Sequence, residues 1–183
     1  TKTMTDVRSV AAGWGDGLAW RTDGALWTFG DNRSGQLGTD VNSGTFSPNP
    51  VPTQAMTDVI EIATGDSFNL VVKSDGTLWT FGDNYKGQLG RQTNVGTDAA
   101  NPKPAQVMTD VVAVAAGAQH SLVLKSDRTL WTFGDNTRGQ LGTTPKSGQT
   151  TASPTPTQVM TDVVAIAAGD VHSLALKSDG TLW

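Results

Sequence analysis

At 183 residues with 37% apolar content, the chain is long enough for one domain with a sizeable core, and its 21 glycines point to many tight turns rather than long helices. A formal net charge of −4 argues against a surface built to neutralise nucleic-acid phosphates, and no run approaches the roughly 18 apolar residues of a membrane span. Without cysteine, disulfides and thiolate metal sites are excluded.

In chain order, the first segment, Thr1, Lys2, Thr3 and Met4, leads into a Met-Thr-Asp-Val that returns at Met56, Met108 and Met160. Trp27, Trp79, Trp131 and Trp183 keep the same 52-residue step, with no insertion or deletion between copies. Three short strands are expected at about 7–27, and again at 59–79, 111–131 and 163–183. A fourth, proline-bearing strand suited to a sheet edge is expected near 50–56, 102–108 and 154–160. In the third copy the first three read VVAVAAG from Val111, SLVLK from Ser121 and TLWTFG from Thr129, each β-branched or aromatic and bounded by turn formers.

The second and third strands are joined by Ser-Asp-Gly at 74–76 and 178–180, where glycine accepts a positive φ; Arg128 replaces it in the third copy, at a cost of roughly 1 kcal/mol. After the third strand comes GDNxxGQLG, in which Asp31, Asp83 and Asp135 are read as turn-stabilising side chains, because the alternating oxygen ligands of an EF-hand are missing.

Four antiparallel strands per unit at this period describe a β-propeller blade, so the expected fold is all-β, with blades at about 7–56, 59–108, 111–160 and 163–183 of one propeller segment. LWTFGDNTRGQLG from Leu130 and AAGAQHSLVLKSD from Ala115 resemble the repeat of the regulator of chromosome condensation family. The resemblance covers essentially the whole chain and implies blades like those of seven-bladed propellers. Its functional implication is broad, because that repeat serves exchange factors, ligase partners, channel-associated domains and phage or bacterial surface proteins.

The last copy stops at Trp183, before an outer strand, while residues 1–4 occupy an outer strand's repeat position. Thr1 to Met4 are therefore expected to act as a closing strand, within the chain or between copies, unless residues beyond 183 in a longer chain cover that edge. A break inside a strand points to a trimmed chain.

For chemistry, His120 and His172 share one repeat position, where the other copies have Asp16 and Phe68; with no cysteine nearby they are read as structural. GWGDGL from Gly13 lies between two strands rather than before a helix, and is read as a turn and not a phosphate cradle. No nucleophile motif stands out, so neither enzymatic activity nor a cofactor or metal is expected. Residues that differ between copies are the candidates for a partner surface: Trp14, Asp16, Phe68, His120 and His172 around the first turn, and Arg33, Tyr85, Lys86 and Arg138 after Asp-Asn. Trp20, aligned with Val72, Leu124 and Leu176, is assigned to the core.

The expected function is a binding or structural scaffold, in a virion or bacterial surface assembly, whose partner is another protein or a further copy of the chain. The sequence leaves the location open; a soluble protein outside the cell or on a virion is compatible with the scaffold reading. The alternative implied by the resemblance is nucleotide exchange on a small GTPase.

Overall fold

The structure, a computed structural model, describes residues 4–143 and 152–183. Among these, β1 (Val7–Ala12), β2 (Asp16–Arg21), β3 (Leu26–Gly30) and β4 (Asn49–Met56) form the first sheet in chain order. The second holds β5 (Val59–Thr64), β6 (Phe68–Lys73), β7 (Leu78–Gly82) and β8 (Ala105–Met108). The third holds β9 (Val111–Ala116), β10 (His120–Lys125), β11 (Leu130–Gly134) and β12 (Ser153–Met160), and β13 (Val163–Gly169) pairs with β14 (His172–Lys177). All pairings are antiparallel, as short turns between neighbouring strands require. The register repeats with the sequence: Leu18, Leu70 and Leu122 face Thr28, Thr80 and Thr132. No helix among the described residues is long and apolar enough to cross a membrane.

Apolar side chains are buried between consecutive sheets. Leu18, Trp20, Leu26, Val59, Val71 and Phe81 fill the first junction, and Phe68, Leu70, Val111, Val123 and Phe133 belong to the second. β6 and β10 are buried on both faces except at their final lysines, because a neighbouring sheet covers each side. Sheet-to-sheet contacts concentrate on the first strand of each set, where β1 meets β5, β5 meets β9 and β9 meets β13.

Each junction is also sewn by backbone hydrogen bonds at repeated positions. Trp14 N donates to Asp66 O (3.0 Å), Asp66 N to Ala118 O (3.1 Å) and Ala118 N to Asp170 O (3.0 Å). At the opposite end, Val59 N, Val111 N and Val163 N donate to the carbonyls of Gly24, Gly76 and Arg128 in the preceding sheet.

This topology corrects the expectation of a β-propeller of four-stranded blades. Three sheets have four strands, but the last has two, with a single Leu176–Leu182 bridge where its third strand was expected. The sheets do not close on themselves. No pairing joins the first sheet to the last among the described residues, Val10 of β1 is 71% exposed, and Leu174 and Leu176 of β14 are exposed at the other end. Burial runs only from each sheet to the next, which makes an open row. Of the expected closing strand, Met4 lies outside any strand, and Thr1, Lys2 and Thr3 lie outside the described residues.

Candidate functional site

In each four-stranded sheet the first strand runs up to a turn, the second runs back and the third returns. The link between first and second strands therefore leaves from the same end as the link between third and fourth. This brings the variable candidates, Trp14, Asp16, Arg33, Phe68, Tyr85, Lys86, His120, Arg138 and His172, to one end of the row. Burial then divides them. Phe68 and His120 are fully buried and Asp16 is 5% exposed, which removes these three from the surface. Trp14, Tyr85, Arg138 and His172 are exposed, and Arg33 and Lys86 are half-buried.

The buried three belong to the sheet junctions. At each junction a side chain next to the shared repeat position donates to a glutamine carbonyl of the preceding sheet, 2.7 Å in every case: Asn69 to Gln36, Ser121 to Gln88 and Ser173 to Gln140. Since the Ser173 proton is committed to Gln140, His120 Nε2, 3.0 Å from Ser173 Oγ, must donate to it. Burial lowers the His120 pKa and so favours the neutral ring, against the opposing charge of Asp135. At the first junction Asn69 Nδ2 also stands 3.4 Å from Asp16 Oδ2, while Asp16 Oδ1 has no hydrogen-bond partner among the described residues. Burial, aided by the charge of Asp31, pushes the Asp16 carboxyl up to about 7 despite the Asn69 contact.

The Gly-Asp-Asn turns are built around their asparagines. Asn32 Oδ1 accepts from Leu37 N, and its Nδ2 donates to the carbonyls of Thr39 and Val41; Asn84 repeats all three bonds with Leu89, Arg91 and Thr93. Asp31 Oδ1 and Asp83 Oδ1 accept from the backbone two residues on. The basic side chains beside these turns are largely engaged: Arg33 pairs with Asp31 at 2.9 Å and Lys86 with Asp135 at 3.9 Å.

On the outside of these turns lie large side chains in solvent: Trp14 at 77%, Phe46 at 87% and Tyr85 at 44% exposure. The Arg33 guanidinium sits between two of them, 6.0 Å from the Trp14 ring centre and 5.0 Å from that of Phe46. A cleft of roughly 430 Å³ opens between the first and second sheets, lined by Trp14, Asp66, Asp83, Tyr85 and Asp98 among others. Burial pushes up both Asp66 and Asp83, and for Asp66 the charges of Asp170 and Asp83 add to it. Phe46 was missed by the sequence reading: it falls in the most divergent stretch of the repeat, and its counterpart one repeat on is Asp98, so no recurring aromatic marks it. Among the described residues no three His, Cys, Asp or Glu side chains gather into a metal-binding group.

The profile of the regulator of chromosome condensation (RCC1) repeat matches residues 23–72, 75–124 and 127–176. The chain is 33% identical over 141 residues to human protein RCC2, covering 74% of this chain and 26% of that protein. Among solved structures, Prp20p from Saccharomyces cerevisiae is 25% identical with a TM-score of 0.80, over 96% of this chain and 44% of that one. Human WBSCR16 is 25% identical with a TM-score of 0.79, over 96% and 46%. The chain thus spans about a quarter of the length of human RCC2 and less than half of either solved relative.

Proposed function

Because the chain belongs to the regulator of chromosome condensation (RCC1) repeat family, we propose that it is a non-enzymatic, protein-binding scaffold whose working surface is the loop end carrying Trp14, Arg33, Phe46 and Tyr85. The observation that carries this reading is the contrast at that end. The junctions beneath are fixed by backbone and buried side-chain bonds, while the aromatic side chains above them stand in solvent, on a rigid base, as anchors of protein interfaces do.

Of the finer readings, regulation of a small GTPase has support that a virion or bacterial surface array lacks. Prp20p, which resembles the chain over 96% of its length, has described binding properties toward Gsp1p and histones. The test is to immobilise the chain and offer it a small GTPase, GDP-loaded or nucleotide-free, and histones. Binding with accelerated release of fluorescent GDP supports the GTPase reading, and binding without it leaves the scaffold reading alone. Failure to bind any of them, with Trp14→Ala behaving as the parent does, overturns both.

A further inference from the structure

The three copies of the Gly-Asp-Asn turn differ in what stands beside the aspartate. Asp31 holds Arg33, whose guanidinium also lies against Trp14 and Phe46. Asp135 holds Lys86, which on its way passes 5.7 Å from the centre of the Tyr85 ring. Asp83, in the middle copy, has no cation within ion-pairing distance among the described residues: Tyr85 occupies the repeat position of Arg33, and the carboxylate accepts from the Tyr85 backbone and the Gln88 amide.

That unneutralised aspartate lines the cleft between Trp14 and Tyr85, together with Asp66 and Asp98. Aromatic walls with carboxylates alongside suit a cation. The first copy supplies its own precedent, since Arg33 is an arginine held between aromatic rings and an aspartate of the same turn.

We propose that this cleft docks a basic segment of a protein partner, with an arginine or lysine side chain entering between Trp14 and Tyr85 and neutralised by Asp66, Asp83 and Asp98. The proposal deepens the scaffold reading and rests on it. Charge complementarity selects the occupant, because the cleft gathers three carboxylates in a chain of net charge −4.

The test uses a blocked eight-residue peptide of alternating glycine and arginine, with a glycine–glutamate peptide as control, titrated into the ¹⁵N-labelled chain. Expected are saturable shifts of the Trp14 indole and of the Asp66 and Ser67 amides with the arginine peptide alone. Trp14→Ala, and Asp66→Asn combined with Asp98→Asn, should each weaken binding at least about fivefold; all three side chains are exposed, so the fold stays intact. Three results would overturn the proposal: no saturable shift, shifts centred on the Asp23 and Asp75 turns at the opposite end, or unchanged affinity in the variants. A chain that binds the small GTPase or histones but not the peptide keeps the scaffold reading and loses this site.

Discussion

Asn69 reaches from the second sheet to within 3.4 Å of Asp16 in the first, placing a neutral amide against a carboxyl that forms no ion pair among the described residues. The equivalent positions at the next two junctions pair Phe68 with Ser121 and His120 with Ser173, so of these three repeat positions only the first holds an acid.

Stability should therefore depend on pH through Asp16. Its folded pKa of about 7 lies above the ordinary carboxylate value of 3.8, so between these values the folded state binds more protons than the unfolded one. The contribution is fully present below pH 4 and is lost as pH rises through 7. Urea midpoints measured from pH 5 to 8 should fall more steeply for the parent than for Asp16→Asn, which at pH 8 should be the more stable by on the order of 1–3 kcal/mol. Parallel pH profiles for the two proteins would refute a buried, proton-binding Asp16.

Position 120 should accept phenylalanine better than alanine. The Gly117 and Gly65 backbones press equally close on His120 and Phe68, so the two sites share one shape, and Ser173 keeps its Gln140 bond without the imidazole. In chemical denaturation His120→Phe should stay within about 1 kcal/mol of the parent, whereas His120→Ala should lose roughly 2–4 kcal/mol to a cavity.

Arg128 has φ +65° in the turn where Gly24, Gly76 and Gly180 have +82°, +77° and +84°. Its side chain is exposed, and its carbonyl bond to Val163 N involves only backbone. Arg128→Gly should raise stability by about 1 kcal/mol, seen as a melting temperature a few degrees higher. A lower melting temperature would mean that the side chain does more than tolerate the turn.

Close approach between sheets can be separated from backbone strain at two glycines of one loop. A Cβ on Gly35 would meet the Pro102 and Asn101 backbone of the second sheet, while one on Gly44 meets nothing within 4 Å; both have positive φ. Gly44→Ala should cost about 1 kcal/mol, and Gly35→Ala at least twice that, by equilibrium unfolding.

Much of the local structure was legible because it is written at short range. The segments from Val111, Ser121 and Thr129 became β9, β10 and β11 within a residue of their expected starts, and the proline-bearing segment became β12 at the sheet edge. The aspartate of Met-Thr-Asp-Val recurs for a reason the pattern did not disclose: Asp58, Asp110 and Asp162 sit at φ 61°, 62° and 62°, a left-handed corner into the next sheet that aspartate tolerates. Closure was misjudged because strand counting within a repeat says nothing about which faces meet across the molecule. The burial of Asp16, Phe68 and His120 was hidden likewise, since they vary between copies as surface residues do, yet the variation is matched by Asn69, Ser121 and Ser173 on the adjoining sheet.

The bonds that tie each first turn to the next run from main chain to main chain, so they are indifferent to which side chains the turns carry. A lineage copying this unit can let Trp14, Asp66, Ala118 and Asp170 drift apart without weakening the seam, and a protein engineer can randomise the same four positions as a display library. Specificity can then be rewritten at the tips while the cassette that carries them is reused unchanged.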